Sequence, residues 1–202
     1  TRGGVTAGMT RTLVVDARWP EAGALAAAAA VLDSGGLVAF PTESFYGLGA
    51  RALSADAVAR VVEVKGRPAD KPLLVLIDSP ASAAALCAAI PDGARKLMDR
   101  HWPGPLTLVL TAAPGLPAAL TAGTGTIGVR LSPHAVARRL VGALGEPVTA
   151  PSANLAGAPP PVTAGDVTRV FEGAIDLVLD GGPTAGGPPS TVVDVTTDVP
   201  RV

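Results

Sequence analysis

The side chains best suited to chemistry are concentrated between residues 38 and 72. Thr42, Glu43, Ser44, Phe45 and Tyr46 follow Pro41 without a break, and Lys65, Arg67 and Lys71 come soon after, among Gly66, Pro68 and Pro72. Three cations at that spacing, held by turn residues, suit an anion with several charges, such as a nucleotide triphosphate. A solvated basic loop after a helix is the other reading. Ser152 and Asn154 lie two apart between prolines, a spacing that in extended chain puts a hydroxyl and an amide on one face. Each could instead bond its own turn. Ser190 and Thr191 could meet a ligand at a strand edge or serve a turn. Arg130 ends an apolar run, and His134, near a helix start, either lines a site or caps that helix. Gly123-Thr124-Gly125-Thr126 matches neither a Walker A loop nor a dinucleotide fingerprint and reads as a turn. No serine sits in a nucleophile elbow, and no Cys/His pair is placed for covalent catalysis. His101 and His134 are far apart in the chain, which argues against a histidine-based metal site. These groups suit binding, positioning and neutralising charge, so the chemistry they point to is one in which substrates react with each other.

The elements that must hold them read as alternating strands and helices. A weak strand at 12–15 precedes an alanine-rich helix opened by Pro20 and stopped by Gly35 and Gly36. Residues 36–40 form an apolar strand that Pro41 ends, because proline has no N–H for a ladder. Ser54 is a helix N-cap, and the helix runs to Lys65 before Gly66 and Pro68 break it. Further strands are predicted at 73–77, 106–110, 126–131, around Val148, at 177–179 and at 191–195. Helices are predicted at 81–89, 93–101, from Pro133, and at 164–171, with an irregular loop over 111–125. The class is α/β with a largely parallel or mixed sheet.

Composition narrows the function. The net charge of −1 supplies no global attraction for nucleic acid or acidic membranes, although it says nothing of local patches. The single cysteine, Cys87, excludes an internal disulfide and reads as a small buried hydrophobe in a helical run. No apolar run is long enough for a membrane span and the start lacks a signal pattern, which points to the cytoplasm. Residues 1–11 are expected to be a flexible leader, and residues 12–202 one domain.

Taken in order, the motifs resemble those of the YrdC-like family. They are Pro41-Thr42-Glu43-Ser44-Phe45-Tyr46-Gly47-Leu48-Gly49, Lys65-Gly66-Arg67-Pro68, Lys71-Pro72-Leu73, Trp102-Pro103-Gly104-Pro105-Leu106-Thr107, Gly128-Val129-Arg130, Pro151-Ser152-Ala153-Asn154 with Gly157, and Pro189-Ser190-Thr191-Val192-Val193-Asp194. Each motif is weak alone, and the ordered set is specific. Ser44 departs from the family's common threonine but keeps the hydroxyl, and Ser132-Pro133 shifts by one the proline that usually follows the arginine.

The resemblance implies a twisted mixed parallel/antiparallel sheet flanked by helices, with a concave, positively charged pocket. It implies synthesis of L-threonylcarbamoyl-AMP and pyrophosphate from L-threonine, bicarbonate and ATP, with Mg²⁺. A downstream tRNA threonylcarbamoyl transferase would then modify A37 of tRNAs reading ANN codons. Carried over by position, Lys65, Arg67, Ser152 and Asn154 form the catalytic set. Thr42, Tyr46, Lys71, Arg130 and Ser190 become substrate and ATP contacts, and no metal-ligating side chain is implied. Two rivals stand beside this reading. One is a double-stranded RNA-binding or ribosome-maturation module, which the near-zero charge does not favour. The other is a paralogue forming a related carbamoyl-adenylate.

Overall fold

The computed structural model describes residues 8–202; the rest of the expected leader, residues 1–7, lies outside the described residues. Residues 10 and 11, expected in the leader, belong to the packed fold. Thr10 is buried with its hydroxyl donating to the Ile175 carbonyl at 2.7 Å, and Arg11 opens β1 (Arg11–Val14). The elements that follow are α1 (Ala22–Asp33), β2 (Val38–Pro41), β3 (Tyr46–Gly49), α2 (Ala55–Lys65) and β4 (Leu74–Leu76). After a 3-10 turn at Pro80–Ala85 come α3 (Asp92–His101), β5 (Leu106–Thr111), α4 (Ala118–Thr121), β6 (Thr126–Arg130) and α5 (Ala135–Leu144). The chain closes with β7 (Val148–Thr149), α6 (Ala164–Phe171), β8 (Leu177–Asp180) and β9 (Thr191–Asp194).

The strands form two mixed sheets, ordered β1-β8-β2-β3 and β7-β4-β6-β5-β9. Residues 147–153 run antiparallel beside β3 and close the gap between them. Leu48 N–H donates to Pro151 O at 2.8 Å, Thr149 N–H to Ala50 O at 2.9 Å, and Ala153 N–H to Tyr46 O at 2.8 Å. Thr149, fully buried, doubles the join: its hydroxyl donates to Leu48 O and accepts from Ala50 N–H. The two sheets are therefore hydrogen-bonded across a seam.

Side-chain alternation sends apolar residues to two clusters, one on each face. Leu37, Ala39, Tyr46, Leu48, Val75 and Val178 join one cluster with residues of α2, α3 and α6. Val38, Phe40, Leu76, Val148, Leu177 and Leu179 join the other with residues of α1 and α5. The alternation continues across the seam.

Three expectations are corrected. The chain after Phe40 is a tight hairpin, with Pro41 inside β2 and Tyr46 to Gly49 forming β3. Proline is tolerated there because Tyr46, its partner, turns its own N–H to Pro161 O and its carbonyl to Ala153 N–H. The helix expected over 81–89 is only the short 3-10 turn. Ala88 N–H donates to Thr111 O and Ala113 N–H to Leu86 O, so pairing with the end of β5 overrides the alanine propensity. Within the expected loop 111–125, α4 forms because fully buried Leu120 anchors it and its carbonyl accepts from Leu73 N–H.

Candidate functional site

A cavity of about 280 Å³ opens where the two sheets meet. The β2–β3 hairpin contributes Thr42, Ser44, Phe45, Tyr46 and Gly47, and the other sheet contributes Leu74 and Arg130. The joining segment adds Ala150, Pro151 and Ser152; Arg67 and Pro72 come from the turn after α2; and two proline-rich arms supply Pro160, Pro189 and Ser190. The two charged residues on this wall are both arginines.

The hairpin turn is built by Thr42. Its hydroxyl donates to Phe45 O at 2.6 Å and accepts from the N–H groups of Ser44 and Phe45, which fixes the residues on the wall. Tyr46 donates its hydroxyl to Gly182 O at 2.8 Å, and burial beside Asp180 pushes its pKa well above the ordinary phenol value. It is a neutral anchor for the second arm, which Gly186 N–H ties to Ser44 O at 2.8 Å. Ser190 shares a hydroxyl hydrogen bond with buried Thr107 at 2.8 Å.

The basic segment is divided. α2 is capped by Ser54, whose hydroxyl accepts from Ala57 N–H, and stopped by Gly66 at φ 59°, a left-handed turn suited to glycine. Lys65, on its last turn, is buried off the cavity wall. Its ammonium donates to the carbonyls of Ser152 and Asn154 at 2.5 and 2.6 Å. Burial, then the charge of Arg67, pushes its pKa down to about 8. Arg67 reaches the wall. Its Nε donates to Lys71 O at 3.2 Å and one terminal nitrogen to Pro72 O at 2.9 Å, which orients the guanidinium, and half-burial lowers its pKa. Lys71 is exposed, and only its backbone serves the site.

The structure thus gathers Thr42, Tyr46, Arg67, Arg130, Ser152 and Ser190 on one wall and leaves out Lys65, Lys71 and Asn154. Asn154 bonds its own turn, with Nδ2 donating to Leu155 O and Ala158 O, both at 2.8 Å. The extended placement expected for Ser152 and Asn154 is not found, because the chain bends between them, with Asn154 N–H donating to Ser152 O at 2.9 Å; what they share is a pair of carbonyls aimed at Lys65.

Ser44 and Phe45 on the wall and Glu43 behind them fall in the segment whose residue types suit chemistry, although none is among the site residues expected from the sequence. The signal was the run of polar and aromatic residues itself. His134 takes the capping role: its Nδ1 accepts from Val136 N–H, and burial lowers its pKa against the opposing pull of Glu43. Thr124 bonds Thr121 O and the Thr126 hydroxyl in an exposed turn away from the cavity. Among the described residues no three His, Cys, Asp or Glu side chains converge as a metal site, and no helix is long and apolar enough to cross a membrane.

The chain has known relatives. Residues 30–202 match the Sua5/YciO/YrdC family model, described as Telomere recombination. The chain is 47% identical over 169 residues to a threonylcarbamoyl-AMP synthase of Pyrococcus abyssi, covering 84% of this chain and 50% of that protein. A Thiobacillus denitrificans protein of the same name is 39% identical over 168 residues, with 83% of this chain and 89% of that one covered. The crystal structure of P. abyssi Sua5 complexed with L-threonine superimposes with a TM-score of 0.89 at 43% identity, over 93% of this chain and 56% of that one. The chain spans about half the length of the first curated relatives it matches, 50% and 51%. A family model matched across most of the chain, and a relative matched over nearly its whole length, agree with the motif order: the chain belongs to the Sua5/YciO/YrdC family.

Proposed function

We propose that the chain carries threonylcarbamoyl-AMP synthase activity, joining L-threonine, bicarbonate and ATP into L-threonylcarbamoyl-AMP with release of pyrophosphate and water. The observation that carries this reading is the convergence of two arginines and five hydroxyl-bearing side chains on one cavity, in a fold that matches a relative complexed with L-threonine. The threonine amine and bicarbonate form a carbamate with loss of water. A carbamate oxygen then attacks the α-phosphorus of ATP, and pyrophosphate leaves with the electron pair of the broken P–O bond. No protein nucleophile is required.

What the chain supplies is alignment and charge. Arg67 and Arg130 neutralise phosphate and carboxylate oxygens, while the hydroxyls of Ser44, Ser152 and Ser190 orient their partners. The proline arms and apolar Leu74, Phe45 and Ala150 limit water, which matters because the product is a reactive mixed anhydride. Mg²⁺ enters on the triphosphate as part of the substrate, because its oxygen ligands come from phosphates and water. The anhydride calls for a downstream enzyme that moves the threonylcarbamoyl group to tRNA, and the cytoplasm is the compartment for that pair.

The test is pyrophosphate release from ATP with bicarbonate and Mg²⁺, comparing L-threonine, L-serine, glycine and no amino acid. Release that requires both threonine and bicarbonate is expected; release indifferent to either overturns the reading. Arg67→Ala is expected to lower kcat/KM at least ~100-fold, with stability held within about 1 kcal/mol because the residue is half exposed. Full activity in that variant counts against the assignment.

A further inference from the structure

Glu43 lies just behind the cavity, between two wall residues, Thr42 and Ser44. Both of its carboxylate oxygens are engaged. Oε2 accepts a short hydrogen bond from the Ser132 hydroxyl, and Oε1 stands 3.3 Å from Arg130 Nε. The second contact has the distance of an ion pair without the angle of a hydrogen bond, so Oε1 and Nε are both buried without a hydrogen-bond partner. Ser132 is fixed in turn. It is 1% exposed, and its hydroxyl accepts from His134 N–H at 3.1 Å, where α5 begins.

Arg130 needs such a support. Its side chain is 5% exposed, a depth at which an unpaired guanidinium is costly. Glu43 makes its nearest approach to that charge at Nε. Among the described residues the guanidinium makes no hydrogen bond, so its terminal nitrogens are uncommitted at the cavity wall. A two-pronged pairing would have used a terminal nitrogen as well. Here the carboxylate meets Nε and leaves the other edge to a ligand.

We propose that Glu43 is a positioning residue: anchored by Ser132, its carboxylate holds Arg130 by the Nε edge and aims the terminal nitrogens at an oxyanion of a bound substrate. The identity of that substrate rests on the functional reading above. The oxyanion belongs to a phosphate of ATP or to the carboxylate of the amino acid, and separate binding measurements tell the two apart.

Calorimetric titration of ATP and of L-threonine is carried out on the wild type, Glu43→Gln, Arg130→Met and the double variant. Glu43→Gln is expected to weaken one ligand about tenfold or more while leaving the other within about twofold. In the Arg130→Met background it is expected to add nothing, because its effect runs through that guanidinium. Three results overturn the proposal: unchanged binding of both ligands by folded Glu43→Gln, equal weakening of both, or the same loss with and without Arg130. Should Glu43→Gln fail to fold, Ser132→Ala replaces it, with a selective loss of about threefold expected and no loss overturning. If the wild type binds neither ligand, the functional reading fails, and the same cycle run with inorganic pyrophosphate tests the positioning by itself.

Discussion

Two backbone carbonyls converge on the Lys65 ammonium, which is 2% exposed and hydrogen-bonded to both. Lys65→Met keeps much of the volume and removes a donor from both; Ser152 O still accepts from Asn154 N–H, but Asn154 O is left unpaired, at about 1–3 kcal/mol. The expected loss of folding stability is ~1–3 kcal/mol, read by urea denaturation. A wild-type midpoint would show that the loop finds other donors. The same burial gives a pH signature. The folded state releases this proton at a pKa of about 8, whereas an unfolded lysine titrates near 10.4. Between those values the unfolded chain holds more protons, so wild-type stability is expected to rise with pH relative to Lys65→Met, by roughly 3 kcal/mol across the window. Parallel stability curves for the two proteins would contradict it. A cation at the end of α2 was legible in the sequence. That two carbonyls nearly ninety residues away converge on it was not, because residue type says nothing about which atoms a fold brings together.

The hairpin and the seam depend on how closely backbones approach. A Cβ at Gly49 would lie 2.7 Å from Phe40 Cε1, 2.9 Å from Val148 Cγ1 and 3.1 Å from Val38 O, all in the packed interior. Gly49→Ala is therefore expected to cost ~2 kcal/mol or more through overpacking, checked by thermal denaturation; a neutral result would mean the Phe40 ring can retreat. The strand containing this glycine was not legible in the sequence. Tyr-Gly-Leu-Gly has little strand propensity, and β3 exists because it is paired with β2 on one side and bonded to residues 147–153 on the other. By contrast, α2 was readable almost to the residue, because its cap at Ser54 and its stop at Gly66 are local. The failed helix at 81–89 makes the same point: its fate is decided by β5, far along the chain.

Across the seam the two sheets share hydrogen bonds and both apolar clusters, so the described residues are expected to unfold as one cooperative unit. Trp102 offers a probe. It is buried, with its indole N–H donating to Leu106 O at 2.8 Å, whereas Trp19 is largely exposed. In a Trp19→Phe background, Trp102 fluorescence and far-UV circular dichroism are expected to report coincident midpoints in denaturant. Separate transitions would make the sheets independent halves.

The placement of the cavity has a consequence for how the protein is kept. Its wall draws on both sheets and on the arms carrying Pro160 and Pro189, so whatever sits there spans the join like a rivet. At a hundredfold excess over its dissociation constant such an occupant adds about 2.7 kcal/mol against opening. A preparation purified free of small molecules is then the form in which the join parts most readily, and proteases should find the proline arms first.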